Sequence, residues 1–107
     1  MKTNVYIMDW YSLTNNRIET IIGQRIKQLR LDFNITQKEL ATKTGLSRVS
    51  ISKIENGMGV NLSSLIEIMR GLRILENIDQ IIPEKEISPI ELIKLKNKSP
   101  KKRASSK

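Results

Sequence analysis

The residues with the most chemical content lie between positions 36 and 56. Arg48, Val49, Ser52, Lys53 and Asn56 share one side of a short helical stretch, and Ile51 and Ile54, three apart, bury the other. Guanidinium, ammonium, amide and hydroxyl groups on one exposed helix face are what reading the edges of bases in the DNA major groove requires. Other chemistries lose their usual carriers. The chain has no cysteine, which excludes disulfides and thiolate metal sites, and no histidine, the commonest general base and zinc ligand. It shows no glycine-rich phosphate loop and no tight acidic cluster. Catalysis, a metal and a cofactor are therefore not expected.

The elements that must hold this face are legible from caps and periodicity. Ile18, Ile22, Ile26, Leu29 and Phe33 form an apolar stripe that predicts a helix over 17–33, with Asn16 as cap, Glu19 three residues later, and Asp32, Phe33 and Asn34 as its end. Thr36 and Glu39 form a capping box, with Ile35 and Leu40 placed as a hydrophobic staple. Ser47 caps the next helix, with Leu46 and Ile51 as staple. Asn61 caps another, with Val60 and Leu65 as staple. Helices over 37–44, 48–56 and 62–72 follow. Two helices crossing steeply need a small residue, for which Ala41 is placed, and the turn between them needs positive φ, which Gly45 tolerates. Gly57 and Gly59 break the chain. A fifth helix is expected from Leu75 to Ile82, ended by Pro83. Ser88, Pro89 and Glu91 start a brief helix to about Leu95. Domain organisation reads as an N-terminal extension (1–13), a domain (14–82), a linker with a short helix (83–96) and a disordered basic tail (97–107).

Charge distribution says more than the total of +8. Seven basic residues and no acid lie from Lys94 onward, leaving twelve bases and eleven acids before it, a net of +1. Residues 22–57 hold seven bases against three acids, a local net of +4. A basic face beside a near-neutral remainder is the footprint expected of a nucleic-acid binder. No apolar run approaches the ~20 residues of a bilayer span, and the N-terminus lacks the apolar core of a signal peptide. A cytoplasmic, nucleoid-associated protein is expected. Tyr6, Trp10 and Tyr11 cluster in the N-terminal segment, either packing on the domain or contacting a partner, and Met8 offers an alternative start.

Residues 22–72 resemble the Cro-like, phage-repressor (XRE) helix-turn-helix family. The resemblance rests on residues 22–30, on Thr36 to Ala41, on Gly45 to Ser47 and on Ser52 to Gly57. It implies an all-α fold of five helices, here with an extra C-terminal helix and a tail, whose second and third helices read DNA. By that resemblance Arg48, Val49, Ser52 and Lys53 fall at base-reading positions: Arg48 on guanine, Val49 on a thymine methyl, Lys53 on guanine acceptors or phosphate. Gln37, Lys38, Ser47 and Asn56 contact the DNA backbone. Arg30 and Glu55 pair as a structural ion bridge between the first and third helices. The resemblance further implies a repressor that binds double-stranded palindromic operator DNA as a homodimer. The fifth helix (Leu75, Ile78, Ile81, Ile82) and the N-terminal aromatics are the candidate dimer surfaces, and closure of the monomer core is the alternative for that helix. The segment from Ile82 to Lys96, with the Asp9–Tyr11 start, is similar to HipB-like antitoxins, which repress their own operon and hold a HipA-like kinase toxin inactive. An autonomous phage-type or restriction-modification controller and a non-specific binder driven by the tail stand as alternatives.

Overall fold

The computed structural model describes residues 8–85 and 88–97. A 3-10 turn at Trp10–Ser12 leads into α1 (Asn15–Asp32), α2 (Gln37–Thr44), α3 (Arg48–Glu55) and α4 (Leu62–Gly71). A 3-10 turn at Leu75–Asn77 precedes α5 (Ile78–Ile81), and α6 (Pro89–Asn97) follows. The described residues hold no strand, so the fold is all-α as expected. Two compact units divide the chain, the first ending at Glu76. Tyr6 and the tail from residue 98 onward lie outside the described residues.

The caps of α2 to α4 and α6 form as read. Thr36 Oγ1 accepts from the Glu39 N–H at 3.0 Å while Glu39 Oε1 accepts from the Thr36 N–H at 2.8 Å. Ser47 accepts from the Ser50 N–H, Asn61 from that of Ser64, and Ser88 from that of Glu91. Such caps each contribute ~1 kcal/mol. Together they matter because isolated helices this short do not persist in water.

The start of α1 differs. Thr14, not Asn16, is the cap and accepts from the Arg17 N–H at 3.1 Å. Three consecutive cap-forming residues compete there, and the earliest wins because it extends the helix. Phe33 is also not core. It is the C-cap, 47 % exposed, while Ile21 is buried instead. The helix axis ends at Asp32, so the 3.6-residue period no longer governs where Phe33 points. The expected fifth helix is shorter and begins as a 3-10 turn, because Asn77 supplies no side-chain cap. Ile78, Ile81 and Ile82 stay exposed.

In the first unit, Ile26, Leu40, Ile51, Ile54, Ile68 and Leu72 form the core, and Ile22, Leu29, Ile35, Leu46, Val60, Leu65 and Ile74 pack against it. Ala41 joins this packing, and two glycines mark further close helix approaches. A Cβ on Gly23 would strike the backbone carbonyl oxygens of Ile54 and Glu55, so α1 lies directly on the end of α3. A Cβ on Gly71 would meet the Thr44 methyl at 3.0 Å. Among the described residues, Asn34 (φ 62) and Arg73 (φ 64) are the left-handed residues that are not glycine. Asparagine adopts this backbone readily, whereas arginine does so at a cost of ~1–2 kcal/mol.

Glycine to alanine in a helix interior normally stabilises by ~1 kcal/mol. Gly23→Ala is expected to do the opposite, costing about 3 kcal/mol in urea denaturation, because backbone oxygens cannot move aside as a side chain would.

Candidate nucleic-acid interface

The turn between α2 and α3 is fixed from both sides. Gly45 closes α2 with φ 80, and open space surrounds the position of an added Cβ, so conformation alone selects glycine there. Thr44, buried, donates its hydroxyl to Leu40 O at 2.8 Å and accepts the Leu46 N–H at 3.2 Å. This side chain ties the end of α2 to the first residues of the turn, a role that no local sequence pattern indicated.

Beyond the turn, Ile51 and Ile54 are buried and α3 turns its other side outward. Arg48, Val49, Ser52 and Lys53 line one shallow concavity on that side. Val49 is 65 % exposed, an unusual exposure for a branched apolar residue and one suited to contact with an apolar methyl group. Ser47 is exposed, and its hydroxyl is already engaged, capping α3 and hydrogen-bonding Ser50 Oγ at 3.0 Å. Asn56, also exposed, is the C-cap of α3. A second shallow concavity adjoins the first through Lys53 and is lined by Ser50 and Ile54 of α3, by Gly59 and Val60, and by Asn61 and Ser64 at the start of α4. In sequence Asn61 is legible only as a cap.

At the start of α2 the capping box leaves the Gln37 and Lys38 N–H groups without intrahelical partners, and the helix dipole adds positive potential. Lys38 is exposed. Gln37 is half-buried and donates from Nε2 to Glu55 Oε1 at 3.0 Å. Ionised Glu55 only accepts, so the amide must turn a nitrogen towards it. One N–H of that nitrogen is thereby fixed and the second is not used by Glu55.

Glu55 is in turn held by Arg30. Nε donates to Oε2 at 2.6 Å and Nη2 to Oε1 at 3.1 Å, with both residues buried. Arg30 Nη1 donates to Ile35 O at 2.8 Å. Among the described residues no buried side-chain polar atom lacks a partner. Away from this network, Trp10 places its ring 5.4 Å from the Arg25 guanidinium, while Tyr11 is fully exposed, so one aromatic packs on the domain and its neighbour does not. Among the described residues no cluster of acidic side chains is arranged to hold a metal ion.

Comparison with known proteins agrees with this geometry. Residues 26–75, from the middle of α1 to just past α4, match the family described as Helix-turn-helix. Antitoxin PezA of Streptococcus pneumoniae serotype 4 (strain ATCC BAA-334 / TIGR4) is 35 % identical over 71 residues, covering 66 % of this chain. The match spans 45 % of that protein's length.

Removing one member of a buried pair strands the other's charge. Glu55→Ala is expected to cost about 3–5 kcal/mol of unfolding free energy. Replacing both, as Arg30→Met with Glu55→Leu, should recover most of that loss in the same denaturation measurement. The double variant should still bind DNA less tightly than wild type, because Gln37 loses the acceptor that orients it.

Proposed function

As residues 26–75 belong to the helix-turn-helix family, we propose that this protein is a sequence-specific DNA-binding transcriptional repressor that inserts α3 into the major groove. The observation that carries this reading is the concavity shared by Arg48, Val49, Ser52 and Lys53 on the one face of α3 that the core does not cover. Arg48 makes a forked contact to guanine, Val49 meets a thymine methyl, and Ser52 and Lys53 reach neighbouring acceptors. Gln37, Lys38 and the free N–H groups at the start of α2 take one phosphate. Ser47 and Asn56 border the backbone. Lys53, Asn61 and Ser64 give a second phosphate a polar seat. The protein acts as a homodimer on a palindromic operator, with half-sites ~34 Å apart. It works in the cytoplasm, at the nucleoid. Among the described residues no helix is long and apolar enough to cross a membrane.

The match to a protein named an antitoxin favours a second layer, in which DNA binding is coupled to capture of a toxin. That name supports the antitoxin class as a whole. A HipA-like kinase is the toxin partner that the C-terminal segment and the start at Asp9 point to. An autonomous controller would have the same reading face and no such partner.

Fluorescence anisotropy on the duplex immediately upstream of the gene, against a shuffled duplex at two salt concentrations, tests the reading mechanism. Arg48→Ala should weaken the specific duplex about 5- to 150-fold, the equivalent of ~1–3 kcal/mol, and leave the shuffled duplex nearly unchanged. Gln37→Ala should weaken both duplexes alike. Equal wild-type binding to the two duplexes, erased by salt and indifferent to Arg48→Ala, would overturn groove reading by α3.

A further inference from the structure

We propose that the end of α4 and the turn after it form a docking site for a carboxylate-bearing segment of a partner protein. This site does not depend on DNA reading and shares no lining residue with the concavity on α3. Arg70, Arg73, Leu75 and Glu76 line an open concavity of about 440 Å³, large enough for one or two side chains. Both cations there are available. Arg70 meets Glu67 at 3.6 Å across one helical turn, an exposed pair that water screens. Arg73 makes no ion pair among the described residues.

The backbone singles out Arg73. α4 ends with the Ile74 N–H donating to Met69 O at 2.8 Å and the Arg73 N–H to Arg70 O at 3.1 Å, which forces Arg73 to φ 64. Glycine or asparagine ordinarily occupies that position in this type of helix end. An arginine is therefore held where a smaller residue would make a more stable protein, and its side chain is delivered into a concavity that already contains a second guanidinium.

The lining sets the ligand's chemistry. Two guanidinium groups accommodate a carboxylate through paired, charge-assisted hydrogen bonds. Leu75 supplies an apolar wall. The Glu76 carboxylate repels a continuous polyanion such as a nucleic-acid backbone, yet it accepts from a peptide N–H or an ammonium group. An acidic residue flanked by apolar ones in a polypeptide satisfies all four lining groups at once. The site also sits at the far end of α2 from Gln37, because Gly71 packs against Thr44 and Lys43.

The test uses the full chain, isotopically labelled, titrated by NMR with a short blocked peptide alternating glutamate and leucine. Saturable shifts are expected at the Leu75 and Glu76 amides and at the Arg73 side-chain N–H. The glutamine–leucine counterpart and inorganic phosphate should not produce them. Arg73→Gly and Arg70→Gln should each weaken the glutamate peptide about tenfold or more. Arg73→Gly should at the same time raise the thermal midpoint and leave DNA anisotropy unchanged, so that misfolding does not explain its loss. The proposal is overturned if phosphate or duplex DNA shifts the same resonances equally. It is also overturned if they move with protein concentration alone, which would make a second copy the occupant, or if Arg73→Gly leaves peptide affinity intact.

Discussion

The buried pair of Arg30 and Glu55 is the constraint on which the first unit depends. Arg30, in the last turn of α1, has three directed donors, two on Glu55 and one on the carbonyl of Ile35. The end of α1, the loop before α2 and the end of α3 are thus fixed around one planar group. Two charges leave water at a cost of several kcal/mol each, which only close pairing with every remaining lone pair and N–H satisfied offsets. Three of the five Arg30 N–H groups and both Glu55 oxygens are engaged, which is possible because α1 and α3 touch. Gly23 sits two turns before Arg30 and lies against the carbonyls of Ile54 and Glu55. A side chain there would push the helices apart and lengthen the pair. The glycine and the ion pair are one device: the first permits the approach and the second uses it.

This device acts on the exposed face of α3 through orientation. α3 has eight residues and buries two isoleucines and Glu55, too little to define its own direction. The helix is held by Thr44 and the Ser47 cap at its beginning and by Glu55 at its end. Glu55 also accepts from Gln37, so the carboxylate that ends α3 orients the amide that begins α2. The two elements that would meet DNA are therefore registered to each other through one buried carboxylate, and the mutual placement of Arg48 and Gln37 does not rest on loop stiffness.

What the sequence disclosed and what it withheld divide along the range of the interaction. The boundaries of α2, α3 and α4 were legible to within a residue because caps and staples are local, satisfied within a turn of the residues that announce them. The burial of Ile51 and Ile54, and with it the outward face of Arg48, Val49 and Lys53, followed from a local period. Gly23 was silent, since a glycine that admits a neighbouring helix looks in sequence like any glycine in a helix. The hydrogen bond from Gln37 to Glu55 spans 18 residues, and the cation–π contact of Trp10 with Arg25 joins two segments with no shared pattern. Phe33 was misread because the apolar stripe was extended one step past the last residue still on the helix. Thr14 was missed because neighbouring asparagines offered equally good caps.

Electrostatics connects these details to function in a way the net charge conceals. Before the basic tail the chain is nearly neutral, which taken alone argues against binding a polyanion. The acids of residues 22–57, however, each accept a hydrogen bond from another group of the chain, and Glu55 is buried. Asp32 accepts from Gln28, Glu39 from the Thr36 N–H, and Glu55 from Arg30 and Gln37. Of the bases in the same stretch, only Arg30 is ion-paired among the described residues. Lys38, Arg48 and Lys53 therefore meet solvent without an ion pair among the described residues, on α2 and α3. Folding buries Glu55 together with Arg30 and leaves the remaining bases of this stretch in excess at the surface. The field that would draw DNA to α2 and α3 thus comes from that excess and from the N–H groups left free at the start of α2, where the capping box fixes the helix end.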